Sequence, residues 1–331
     1  MSSQSIHAQV VNLYILDTSS IRGMRSDDLR IAESKARIAV SPISVYELLC
    51  HLDEKDKRAK AESTNTISEL FKANLLKCKN LILLDDPFAE QAEAVGAGEL
   101  VNPTRFEDKI VLPQLFPKLE ESLTLEDFYS STVQFPNGDI GRVRDAAARA
   151  RFVLDEQEAQ YKAHVTEWCK QILEEFGYEQ SQQFEPIAFV RFATHSAAGL
   201  AEYYEDGLRT NEANVLDLHA PVFSKIYANI GYGIARAIEY LRRANGCMGQ
   251  LHIDPNDLED SAICLHLSLI EHRVLVTGDK GTLDALGAAL DNLRLMSETT
   301  RDPLLPFTEV ISTEEFKNRV LPKTSAPSSI A

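Results

Sequence analysis

Residues 12–20 read NLYILDTSS: an apolar run rich in β-formers ends on Asp17, and three hydroxyl residues suited to opening a helix, Thr18, Ser19 and Ser20, follow at once. This pattern predicts a strand with a carboxylate at its C-terminal tip and a helix directly after it. The same strand–helix signature recurs outward from there. RIAV (37–40) precedes Ser41-Pro42, an N-cap with proline at the first helical position, and the helical SVYELLCHL. LILLDD (81–86) precedes Pro87 and FAEQAEAV, and RVLVTGD (273–279) again ends in a carboxylate, Asp279. LRLM (293–296) reads as a fifth strand. Strands alternating with helices define an α/β fold with a largely parallel sheet, whose ligands bind outside the carboxyl ends of the strands.

The middle of the chain has a different period. Val143, Ala147, Ala150, Leu154, Tyr161, Val165, Trp168, Ile172 and Phe176 recur at spacings of three, four or seven, predicting one helix over 141–176 closed by Gly177. At 1.5 Å per residue it extends ~50 Å. A second helix, 222–244, carries Phe223, Ile226, Ile230, Ile234, Ile238 and Leu241 on one stripe, with Gly231 and Gly233 each costing roughly 1 kcal/mol. Thr104-x-x-Glu107 has the form of a capping box. The expected organisation is an α/β domain made of 11–98 and 251–312, interrupted by an almost entirely helical insertion at 99–250. A tail at 313–331 ends in the Ser- and Pro-rich PKTSAPSSIA, which reads as disordered.

The 331 residues, 44% hydrophobic and 25% charged, have globular composition and exclude a collagen, a disulfide miniprotein or a disordered chain. No apolar run approaches the ~20 residues that span a bilayer, and MSSQSIHAQV lacks a signal-peptide design, so a soluble cytoplasmic protein is expected. Cys50, Cys78, Cys169, Cys247 and Cys264 stand far apart without metal-ligand spacing and read as reduced, mostly buried small hydrophobes. The net charge of −16, half of it within 99–250, argues against a protein that coats nucleic acid through positive charge. A nuclease remains compatible, because a metal site gathers carboxylates and its cations invert the local sign.

Four carboxylates fall where such a sheet would collect them. Asp17 and Asp279 end strands, Glu47 lies about one and a half turns into the helix after the second strand, and Asp260 lies in a helix beginning near Asp254-Pro255, with Asp254 as N-cap. Asp257 stands three residues before Asp260 on the same helical face and competes for that position. Converging carboxylates repel unless a cation sits among them, and hard divalent ions with oxygen ligands, Mg²⁺ or Mn²⁺, answer that need. The plainer alternatives are a strand-end cap for Asp17, exposed helical acids for Glu47 and Asp260, and an ordinary turn at Asp279-Lys280-Gly281 with Gly281 in the left-handed region. His266 and His272 read as packing residues.

ILDTSSI (15–21), SPISVYELL (41–49) and DLEDSAICLHLSLIEHRVLVTGDKG (257–281) resemble the three sequence blocks of the PIN (PilT N-terminal) nuclease family. The resemblance covers about half the chain; the long insertion departs from the family's smallest members. It implies a PIN-like Rossmannoid sheet and a metal-dependent endonuclease with Asp17, Glu47, Asp260 and Asp279 as its catalytic, metal-binding quartet. Ser19 and Thr277 match its supporting hydroxyl positions, and Asp257 is left to the capping turn. It further implies RNA as substrate ahead of DNA, a role as toxin, RNA-processing enzyme or defence effector, self-association, and an inhibitory or activating protein partner.

Opposite the isoleucine stripe of 222–244 lie Lys225, Asn229, Tyr232, Arg236, Tyr240 and Arg243, a basic face with interleaved aromatics suited to tracking phosphates and stacking bases. A solvated helix face is the ordinary alternative. Arg142, Arg144, Arg149 and Arg151 form a second basic cluster, open equally to i,i+4 pairing and helix packing. Among other functions, a haloacid-dehalogenase phosphatase would require D-x-D where Ser19 stands. Another metal phosphohydrolase or a non-catalytic PIN-like protein-binding scaffold are the remaining alternatives, the scaffold disfavoured by the retention of four carboxylates.

Overall fold

A computed structural model describes residues 12–52, 64–94, 108–183, 185–203, 221–269, 271–300 and 307–322. The capping box at Thr104–Glu107 and the end of the tail lie outside them. The chain opens with β1 (Leu13–Leu16), α1 (Thr18–Gly23), α2 (Ser26–Glu33), β2 (Arg37–Val40), α3 (Pro42–Cys50), α4 (Thr64–Lys77), β3 (Ile82–Leu83) and α5 (Pro87–Ala94). The middle supplies α6 (Asp108–Glu121), α7 (Leu125–Ser130), β4 (Thr132–Gln134), β5 (Ile140–Arg142), α8 (Val143–Ser181), α9 (Pro186–Tyr203) and α10 (Pro221–Arg243). It closes with α11 (Asp257–Ile263), β6 (Arg273–Thr277), α12 (Lys280–Thr300), β7 (Glu309–Ser312) and α13 (Thr313–Val320).

Five strands form one parallel sheet in the order β3-β2-β1-β6-β7, with Leu16 beside Val40 on one side and Val276 on the other. The order reverses between β1 and β6, so the ends of these two strands flank the crevice where open α/β sheets bind ligands. Alternation along the strands sends Ile15, Ala39 and Leu275 to one face and Tyr14, Leu16, Ile38, Val40, Val274 and Val276 to the other. Burial on both faces explains the near-continuous apolar runs in the sequence.

The first face packs against α9, α10, α12 and the later part of α8, and the second against α2, α3, α4, α6, α7 and α13. The start of α8 (Val143, Ala146, Ala150) belongs to the second core and its later part (Tyr161, Val165, Cys169, Ile172) to the first. Helices from 99–250 thus share both cores with the sheet.

Several elements differ from the sequence reading. LRLM (293–296) is helical: Leu286, Ala289, Leu290, Leu293 and Met296 are buried at spacings of three and four on α12, and the fifth strand is β7. The middle segment is almost entirely helical among the described residues, and its one exception is the antiparallel hairpin of β4 and β5, whose turn places Gly138 at φ 87°. The first part of the tail is α13, anchored by the buried Phe316. α8 does break at Gly177, at φ 71° and ψ 166°, and its helical path resumes to Ser181.

The glycines of α10 have a packing role. A Cβ on Gly231 would stand 2.9 Å from Ala289 Cβ of α12, and one on Gly233 would stand 2.2 Å from Trp168 of α8. Their absence lets α10 approach both neighbours. None of the five cysteines forms a disulfide, and Cys78, Cys169 and Cys264 are buried. Among the described residues no helix is long and apolar enough to cross a membrane.

Candidate functional site

Asp17 leaves β1 in extended conformation and caps α1, accepting the Ser20 backbone N–H at 2.6 Å and the Ser19 hydroxyl at 2.7 Å. Ser19 Oγ also accepts the Gly278 N–H at 2.7 Å, which ties the loop after β1 to the loop after β6. Thr277, at the tip of β6, sets its hydroxyl 3.4 Å from Ser19 Oγ and accepts the Asp279 N–H at 2.9 Å. Both supporting hydroxyls therefore stand beside Asp17.

Thr282 links the other two aspartates. Its N–H donates to Asp279 Oδ1 at 2.7 Å, making Asp279 the cap of α12, and its hydroxyl donates to Asp260 Oδ2 at 2.5 Å. Glu47 sits in the second turn of α3, which Ser41 caps by accepting the Ile43 N–H at 3.3 Å. Gly281 lies within α12 and is absent from the positive-φ residues; close approach, not a left-handed turn, explains the glycine.

Electrostatics tie these residues together. Burial raises the Asp260 pKa well above the usual carboxylate range; the Thr282 hydrogen bond opposes this, and the charges of Asp17, Asp279 and Asp257 add to it. Burial likewise raises Asp17 against the hydrogen bonds from Thr277, Ser20 and Ser19. Glu47 is raised by burial, with Asp17 contributing. A fifth acid, Glu259, is missing from the sequence reading. Burial and then the charge of Glu47 push its pKa up to about 8, and its Oε2 is buried without a hydrogen-bond partner. One signal was present: Pro255 and Ile263 stand four residues either side, so no helical ion pair accounts for this acid.

Asp257 is engaged elsewhere. Its two oxygens accept Arg236 Nη2 and Nε, each at 2.8 Å, and the Tyr240 hydroxyl donates to it. The helix carrying Asp260 starts at Asp257 and not at Pro255, while Asp254 accepts the Asn256 N–H at 3.0 Å in the preceding turn. Among the described residues, no group of three or more His, Cys, Asp or Glu side chains is arranged to hold a metal ion. The charges of Asp17 and Asp279 reach Asp260 and that of Asp17 reaches Glu47, while Asp17, Asp260 and Asp279 direct oxygens to hydroxyls and backbone N–H groups.

The basic face read on α10 is largely interior. Tyr232, Arg236 and Tyr240 are buried, so only Lys225 and Arg243 remain exposed, near opposite ends of the helix. The isoleucine stripe marks one buried face, and the opposite face is covered too, so its polar residues read as solvent-facing although they are interior. Arg144 pairs with Glu126, Arg151 with Asp155, and Arg149 lies over the Phe135 ring at 4.3 Å. His266 is buried, with Nε2 2.9 Å from Ser41 Oγ, and His272 packs on Phe307.

Comparison with known proteins found no matching family model, no matching curated protein and no matching solved structure.

Proposed function

We propose that this chain is a PIN-like, divalent-metal-dependent nuclease that hydrolyses phosphodiester bonds, acting as an endoribonuclease with RNA preferred over DNA. One observation supports the reading: Asp17, Asp260 and Asp279 come from three separate elements beside the reversal point of a parallel sheet, and the charges of Asp17 and Asp279 raise the cost of charging Asp260. The donor set suits a hard ion, being all oxygen, with one buried carboxylate oxygen on Glu259 lacking a partner. Asp17, Glu47, Asp260 and Asp279 would hold Mg²⁺ or Mn²⁺. Such an ion, when bound, supplies Lewis-acid stabilisation of phosphate charge and lowers the pKa of water.

The chain's own residues do the positioning. Ser19 and Thr277 orient Asp17, and Thr282 fixes the spacing of Asp260 from Asp279. Buried, proton-retaining carboxyls would exchange their protons for the cation, so cation affinity rises with pH. A non-catalytic scaffold is the competing reading, favoured by the lack of a closed ligand group among the described residues. Purified protein incubated with a mixed RNA pool and Mn²⁺, followed by mapping of new ends, separates the two. Defined new ends support the nuclease; an intact pool, with Mn²⁺ leaving the melting temperature unchanged, supports the scaffold.

A further inference from the structure

We propose that Arg236 is the positioning residue of the carboxylate site, holding α11 and the first turn of α12 in register so that Asp260 and Asp279 both face Asp17. The inference rests on the metal-site reading above and extends it to a residue on a different helix.

Arg236 is 4% exposed and cannot reach a polynucleotide, so its charge acts inside the protein. Its Nε and Nη2 make the two-pronged contact with Asp257, Nη2 also reaches the Tyr240 hydroxyl at 3.2 Å, and Nη1 pairs with Glu239. Tyr240 extends the network by accepting the Asp254 N–H at 2.8 Å. The approach to α11 and its first residue are thus fixed to α10. A second anchor lies just past Asp260, where Asn229 Nδ2 donates to the carbonyl and hydroxyl oxygens of Ser261 at 2.7 and 2.8 Å. Asp260 is bracketed by the two.

Toward α12 the contact is steric. A Cβ on Gly281 would lie 3.0 Å from Asp279 Oδ1 and 3.1 Å from Arg236 Nη1, so the guanidinium rests against the turn that presents Asp279. One side chain therefore touches the elements carrying two of the proposed ligands. A buried ion pair contributes little to stability compared with an apolar pair of similar volume, so fold stability alone is a poor reason for its place here. Groups that orient ligands from behind change metal affinity about 10- to 100-fold when removed.

The test titrates the full-length protein with MnCl₂ and reads the melting temperature, which rises when an ion binds only the native state. Replacing both partners, Arg236→Met with Asp257→Leu, leaves no lone buried charge in the pair. The expected result is cooperative unfolding with at least about 10-fold more Mn²⁺ needed for half the shift, and an intermediate requirement for Arg236→Lys. An unchanged Mn²⁺ requirement in the double variant overturns the proposal. Should the double variant not fold, Arg236→Lys decides: a rise of about threefold or more supports positioning, and wild-type behaviour overturns it. A wild-type protein that does not respond to Mn²⁺ overturns the metal reading itself, whereas a responsive wild type beside an equally responsive variant overturns only the role of Arg236.

Discussion

Thr282 joins two carboxylates through one residue, its N–H on Asp279 and its hydroxyl on Asp260. Thr282→Val keeps the shape and the backbone bond but removes the only hydroxyl that favours the charged form of Asp260 in this contact. The expected cost at neutral pH is about 1–3 kcal/mol, the penalty for a buried acceptor losing its donor, checked by the urea midpoint. An unaltered midpoint would place Asp260 in water instead. Asp279 tests the chemistry: Asp279→Asn retains size and the capping oxygen but loses the charge, so Mn²⁺-dependent RNA cleavage should fall by about two orders of magnitude or more while the protein remains folded. Full activity in that variant would remove the metal-nuclease reading. Ser19 and Thr277 were singled out by the family resemblance alone, and their hydroxyls stand beside Asp17 and each other. Glu259 was not, because an acid adjacent to another on a short helix ordinarily faces solvent.

At the scale of elements, the close approaches of α10 give the sharpest expectation. Gly233→Ala gains about 1 kcal/mol of helix propensity but drives a methyl into Trp168, 2.2 Å away, so a net loss of about 1–2 kcal/mol is expected in denaturant unfolding. Gly249→Ala, which meets nothing within 4 Å, is the control and should leave the midpoint within about 0.5 kcal/mol. Stabilisation by Gly233→Ala would mean that α10 does not pack on α8 as described. The same helix explains where the sequence became illegible. β1, β2 and β6 carry continuous apolar runs ending at Asp17, Ser41 and Asp279, and were readable because both sheet faces are covered. α10 is covered on nearly all sides, so Arg236 and Tyr240 fall on what periodicity takes for a solvent face; Asp257, distant in sequence, together with Glu239 and the Asp254 N–H, makes their burial tolerable. LRLM misled for a related reason: four residues are too few to separate alternation from a helical stripe, and only Leu286, Ala289 and Leu290 upstream reveal the period.

For the whole molecule, the buried and half-buried acids couple stability to pH. Asp17, Glu47, Glu259 and Asp260 all hold their protons more tightly in the folded chain than in the unfolded one, where carboxyls titrate near 3.8 to 4.5. Their contribution is complete below those unfolded values and is lost as pH rises through the folded ones, the part from Glu259 being spent by about pH 8. Metal-free protein should therefore lose stability between about pH 4.5 and 8, at up to about 1.4 kcal/mol per pH unit for each proton that the folded state retains in excess. Glu259→Gln removes one such proton while keeping the side chain's shape, and should flatten the slope at the alkaline end of that window. A divalent cation replaces protons as the source of compensation, so saturating Mn²⁺ should flatten the wild-type profile as well and release protons measurable in weakly buffered solution. Thermal melts of wild type and Glu259→Gln across pH 4.5 to 8, with EDTA and with Mn²⁺, check both. Identical slopes for the two proteins in EDTA would show that Glu259 ionises freely, and a wild-type slope unmoved by Mn²⁺ would detach these carboxyls from any cation.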